Sequence, residues 1–120
     1  VVKMIGDSVF FIADDLEVGL QVVTDLIDNL RTAEGILPVR ASFIQGDVFS
    51  RSGDVFGPAV NLAARLVDIA PRWSILTDAR TAAAIDSSSV RSEYEIQEFP
   101  STELRGLGRV SPYRLRKRGQ

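Results

Sequence analysis

A chain of 120 residues with 45% apolar content is long enough for one compact unit with its own core. It has no cysteine and no histidine, which excludes a disulfide framework, thiol or imidazole catalysis, and zinc sites built from those residues. The net charge of -2 gives no whole-chain electrostatic case for nucleic acid, so any chemistry must run on carboxylates, lysine, arginine, amides and a hard cation such as Mg²⁺.

No apolar run is long enough to span a bilayer and no signal-peptide pattern is present, so a soluble, cytoplasmic domain without membrane contact is expected. The chain opens on Val and directly on a strand-like run, which reads as a piece of something longer. Val1 to Ile5 and Val9 to Ala13 are short apolar runs separated by Gly6-Asp7-Ser8, the pattern of a tight β-hairpin with Asp7 at its tip. A long amphipathic helix follows, from about Asp15 to Glu34, with Leu16, Leu20, Val23, Ile27 and Leu30 at helical spacing and Gly35 as its stop. Val39 to Phe49 is β-branched and aromatic, which predicts a long strand bent or bulged near Gly46, leading into a loop at Ser50 to Phe56.

The next stretch organises the chain. Gly57-Pro58 is a helix start, because proline at the first helical position has a pre-set φ and no N–H to leave unbonded. Ala59, Val60, Leu62, Ala63, Leu66, Val67, Ile69 and Ala70 then predict a largely buried helix, while Asn61, Arg65 and Asp68 recur at i, i+4 and i+7 as one polar seam. The seam admits two readings. Asn61 and Arg65 bond neighbouring loops or Asp68, or they form an anion or nucleotide subsite with Arg65 as a forked charge donor.

Beyond it, Pro71 ends the helix, Ser74 to Thr77 is a short strand, and Asp78 caps a small helix through Ala84. Tyr94 to Phe99 and Pro112 to Arg116 are further strands, joined through the turn-rich Arg105-Gly106-Leu107-Gly108. The basic end, with Arg105, Arg109, Arg114, Arg116, Lys117 and Arg118, reads as a solvated face, with phosphate contact as the other reading. The order β-β-α-β-α-β-α-β-β predicts an α+β sandwich with a mostly antiparallel sheet covered by helices.

Two constellations now stand out: Lys3-Met4-Ile5-Gly6-Asp7, and Asp54-Val55-Phe56-Gly57-Pro58-Ala59-Val60-Asn61-Leu62-Ala63-Ala64-Arg65. Together they resemble the class III nucleotidyl cyclases of bacterial type, whose catalytic domain carries Lys-x-x-Gly-Asp on a hairpin and Asp-x-x-Gly-x-x-x-Asn-x-x-x-Arg further on. The likeness extends to Val39 to Phe49 and to the ending Leu104 to Gly108 and Tyr113 to Leu115, and so covers residues 1-120. It implies a ferredoxin-like α/β sandwich of the cyclase type and an adenylate cyclase converting ATP to 3′,5′-cyclic AMP and pyrophosphate. By resemblance Lys3 and Asp54 read the adenine, a pairing that favours ATP over GTP because guanylate cyclases typically place Glu and Cys or a similar residue there. An unpaired wrong base is rejected by on the order of 10⁴-fold in good cases. The resemblance further gives Asn61 the ribose, Arg65 the charge building on the α-phosphate, and Asp7 the binding of two Mg²⁺ or Mn²⁺ ions. It implies a homodimer with shared active sites, Asp7 of one subunit working with Lys3, Asp54, Asn61 and Arg65 of the other.

Three departures qualify this. The family's second metal aspartate lies on a strand upstream of Lys3, so the first strand is expected to be missing and the 120 residues alone to be inactive. Leu107 stands where several relatives have a lysine on the triphosphate, a contact for which Arg105 is the candidate substitute. Arg72-Trp73 stands where relatives usually turn with glycine, and Trp73 reads as local packing or a partner contact. The alternative function is a degenerate cyclase-like nucleotide-binding or dimerisation module that regulates a neighbouring domain. A sheet-surface RNA binder would need paired aromatics and basic residues on central strands, a pattern that Phe10, Phe11 and Phe43 do not make.

Overall fold

The computed structural model describes residues 2–5, 8–33, 35, 38–52 and 54–119, with side chains from Phe11 onward except Ser50. Strands β1 (Val2–Ile5) and β2 (Ser8–Phe11) form the expected antiparallel hairpin, in register from Val2 opposite Phe11 to Ile5 opposite Ser8. Its tip, Gly6 and Asp7, lies outside the described residues. Helix α1 (Leu16–Thr32) begins where Asp15 Oδ1 accepts the N–H of Glu17 at 2.8 Å, satisfying one of the amides a helix start leaves open. It ends on Ala33, two residues short of Gly35, which takes φ 75°.

The long strand predicted for Val39 to Phe49 is not there. Pairing is confined to β3 (Ala41–Ser42), and the next strand is β4 (Phe49–Arg51). The physical reason is a change of partner. Phe43 N still donates to Leu76 O at 2.9 Å, but Thr77 Oγ1 then donates to Phe43 O at 2.6 Å and Gln45 N donates to Thr81 Oγ1 at 2.9 Å. Side-chain hydroxyls thus replace the ladder and satisfy the backbone without a strand. The loop expected at Ser50 to Phe56 is likewise a hairpin: β4 pairs with β5 (Asp54–Phe56), Phe49 opposite Phe56 and Arg51 opposite Asp54. Ser52 reaches φ 53° in its two-residue turn, as the right-handed twist of such ribbons favours.

Helix α2 (Pro58–Ile69) starts with Pro58 at its first position, as predicted. It is not the buried helix expected, because only Leu66 in it is fully buried and Asn61, Ala64, Arg65 and Asp68 are exposed. Then come β6 (Ile75–Thr77), α3 (Ala79–Asp86) capped by Asp78 Oδ1 on Thr81 N at 2.9 Å, β7 (Tyr94–Glu98), β8 (Thr102–Leu104), β9 (Gly108–Val110) and β10 (Tyr113–Lys117). The hairpin β8–β9 brackets the turn at Arg105 to Leu107, where no strands were expected.

Among the described residues the largest sheet has the order β3-β6-β10-β7, with β3 parallel to β6 and the other pairs antiparallel. Successive residues of a strand face opposite sides. Accordingly Ile75 joins Leu20, Val23, Ile27, Ile85, Tyr94 and Leu115 beneath α1 and α3, while Leu76 joins Leu66, Ala70 and Leu104 beneath α2. The result is an α+β fold whose mixed sheet carries α1 and α3 on one face and α2 on the other.

Candidate functional site

Asn61 and Arg65 stand one turn apart on the exposed side of α2. Among the described residues neither side chain makes a hydrogen bond or ion pair, with Asp68 or with any loop, so the seam is open rather than tied into the fold. The start of α2 is fixed by Gly57, at φ 140°, where a Cβ would come within 3.0 Å of Asp47 O. Only glycine takes that conformation without strain, so the turn from β5 into α2 is sharp and reproducible.

Asp54 opens β5, immediately before that turn, and its Oδ1 accepts the N–H of Val55 at 2.9 Å. Asp54, Asn61 and Arg65 therefore belong to one strand–turn–helix unit. Lys3 is carried by β1 opposite Phe10, and its side chain lies outside the described residues, as does Asp7 altogether. Arg105 is exposed in the β8–β9 turn, on a hairpin separate from β4–β5. Leu107, in the same turn, is also exposed.

The register adds a feature the sequence reading missed. Phe49, Arg51, Asp54 and Phe56 share one face of the β4–β5 ribbon, with Val55 buried on the other. The rings of Phe49 and Phe56 stack at 6.4 Å between centroids although 55% and 46% of the two residues is exposed. The alternation Phe49-Ser50-Arg51 and Asp54-Val55-Phe56 around a Ser-Gly turn was the available signal for this hairpin.

Two other expectations resolve on geometry. Trp73 packs against the core beneath α1, and at φ 58° it holds a left-handed turn of the kind that favours glycine. Its N–H donates to Val39 O at 2.7 Å, which explains how a bulky residue is kept there. At the basic end, Arg116 and Arg118 lie 2.7 and 3.6 Å from Glu95, the solvated cross-strand arrangement. The hydrogen bond and charge of Arg116, with Arg118 further off, hold the Glu95 carboxyl below its ordinary range. A recess of about 250 Å³ lies beside α2, lined by Leu62, Leu66, Arg80 and Val110 among others; none of the predicted site residues borders it. Among the described residues no group of three or more carboxylates is placed to hold a metal ion, so the metal expectation rests on Asp7. No helix among them is long and apolar enough to cross a membrane.

No family model matches the chain. It is 38% identical over 116 residues to an adenylate cyclase of Glutamicibacter nicotianae, covering 95% of this chain and 28% of that protein. It is also 38% identical over 96 residues to an adenylate cyclase of Streptomyces griseus, covering 80% of this chain and 24% of that one. The chain thus spans about a quarter of the length of these curated relatives. In fold it is similar to the catalytic core of a rhodopsin-guanylyl cyclase with converted specificity, solved in complex with ATPαS: the TM-score is 0.78 at 20% identity, over 97% of this chain and 69% of that one. With two relatives of one name aligned along the strand–turn–helix unit and most of the remaining chain, and a cyclase core superposing on nearly all of it, the chain belongs to the class III nucleotidyl cyclase domains.

Proposed function

We propose that this domain is the catalytic unit of an adenylate cyclase, converting ATP to 3′,5′-cyclic AMP and pyrophosphate at a site shared between two copies of the chain. The observation that carries the reading is the open seam on α2. An exposed amide and an exposed guanidinium one turn apart, unpartnered among the described residues and reached directly from the strand bearing Asp54, are poised for a ligand from outside the protomer.

In this reading the Asp54 carboxylate accepts from the exocyclic amine of adenine and Lys3 donates to a ring nitrogen. Asn61 orients the ribose by hydrogen bonding. Arg65 offers a planar, permanently charged fork to the α-phosphate, where negative charge builds as the 3′-oxygen attacks and pyrophosphate departs in line. Arg105 is assigned to the triphosphate. Asp7 is assigned to two Mg²⁺ or Mn²⁺ ions, which when bound make the 3′-hydroxyl a better nucleophile and offset the charge of the triphosphate. The names of the two relatives support adenine over guanine as the base.

The shared site is tested by complementation in the full-length protein. Asp7→Asn is expected to abolish cyclic AMP formation and Arg65→Ala to lower it by about 10²–10³, and mixing them leaves one intact site in each mixed dimer, restoring about a quarter of the wild-type rate. A mixture as silent as either variant would place the site within one protomer and overturn the shared arrangement.

A further inference from the structure

Nothing in the α2 seam itself explains what fixes its orientation, since α2 buries only Leu66 fully and begins without a side-chain cap. The answer lies at the end of β3 and in the stretch after it that forms no strand. Ser42 Oγ donates to Ala63 O at 2.7 Å, a bond into the middle of α2 between Asn61 and Arg65. Four residues on, Gly46 presses on the first turn, where a Cβ would stand 2.7 Å from Ala59 Cβ. Segment 42–46 therefore holds α2 at two points about one helical turn apart.

That segment is itself held by hydroxyls. Thr77 and Thr81 are fully buried, the first donating to Phe43 O and the second accepting from Gln45 N. Thr81 is anchored in turn, its own N–H donating to Asp78 Oδ1. The path from the α3 cap to the α2 seam is continuous: Asp78, Thr81, Gln45, Gly46, Ala59 on one arm, and Ser42 to Ala63 on the other.

We propose that Ser42 and Thr81 are positioning residues for Asn61 and Arg65, acting through the backbone of α2. The proposal rests on the cyclase reading for its kinetic consequence but not for its geometry. A guanidinium that meets charge only as the reaction proceeds is sensitive to displacement of its helix, whereas nucleotide binding is spread over several groups. Loss of either hydroxyl bond therefore lowers kcat more than it changes KM.

The test uses the full-length protein with Ser42→Ala, Thr81→Val, Thr81→Ser and, as a control hydroxyl on the far end of α3, Ser88→Ala, whose bond to Ile85 O touches nothing on α2. Turnover of Mn²⁺-ATP and amide hydrogen exchange over residues 58–69 are measured together. Expected are a fall in kcat of about tenfold or more for Ser42→Ala and Thr81→Val with KM within about twofold, faster exchange in α2, recovery of both in Thr81→Ser, and wild-type behaviour in Ser88→Ala. Wild-type kcat and exchange in Ser42→Ala and Thr81→Val, or a loss in Thr81→Ser equal to that in Thr81→Val, would overturn the proposal. Should the wild type make no cyclic nucleotide, the cyclase reading falls, and the α2 exchange rates alone still decide the positioning role.

Discussion

Arg65 contributes little to holding the chain together, because its guanidinium is exposed and has no partner among the described residues. In our proposal it serves a ligand instead. Arg65→Ala is expected to lower kcat by about 10²–10³, the usual cost of losing one preorganised charge donor, while leaving the melting temperature of the purified protein unchanged. Activity and a thermal melt on the same sample check it; a large loss of stability would instead make Arg65 structural. Glu95 is the contrasting case. Its carboxyl is held below the ordinary glutamate range by the hydrogen bond and charge of Arg116, so the ionised form is favoured in the folded state. The stabilisation is present above the ordinary value of 4.5 and is lost as pH falls through the lowered folded value. The pair is solvent-exposed, so the effect is small. Melting curves of Glu95→Gln should lie slightly below wild type at neutral pH and merge with it in acid; a constant offset at every pH would contradict this.

The elements show how far local pattern reaches. Asp78 as a cap, Pro58 as a helix start and the β1–β2 hairpin were legible because each depends on residues acting on their own neighbourhood. The strand from Val39 to Phe49 was misread because what interrupts it, Thr77 and Thr81, lies more than thirty residues away and acts through hydroxyls that local propensity does not weigh. The polarity of Ser50 to Asp54 hid the β4–β5 hairpin, and the glycines around Leu107 hid β8–β9. The burial of α2 was misjudged for a different reason: small residues such as Ala59 and Ala63, which are half-buried, and Ala64, which is exposed, suit a buried or an open face equally. Gly46 is the position where the interrupted strand matters most. Gly46→Ala is expected to destabilise the fold by about 1–3 kcal/mol through overpacking against Ala59, and Ala59→Gly in the same protein should recover part of it by removing the opposing methyl. Denaturant unfolding of the two variants checks this, and equal stability of Gly46→Ala and wild type would deny the contact.

On the scale of the molecule, the sheet is covered unevenly. Beneath α1 and α3 the core runs from Leu20 to Leu115, but on the α2 side cover stops short of β10 and β7, where Arg114, Arg116 and Gln97 are exposed. The exposed Phe49–Phe56 pair and the open α2 seam belong to the same strand–turn–helix unit. An exposed aromatic pair of this kind is a surface that association with a second chain would cover, and our proposal assigns that cover to a second copy. The family was legible from the two spaced motifs, and the α+β fold from the order of strands and helices along the chain. How the motifs meet was not legible, because Lys3, Asp54 and Arg105 are carried on three separate hairpins whose mutual placement depends on tertiary and, in our proposal, quaternary packing. The most direct measurement is the product formed by the full-length protein from Mn²⁺-ATP and, separately, from Mn²⁺-GTP, separated chromatographically. The account predicts cyclic AMP from ATP in clear excess over cyclic GMP from GTP. No cyclic product from either nucleotide, or cyclic GMP in excess, would contradict it.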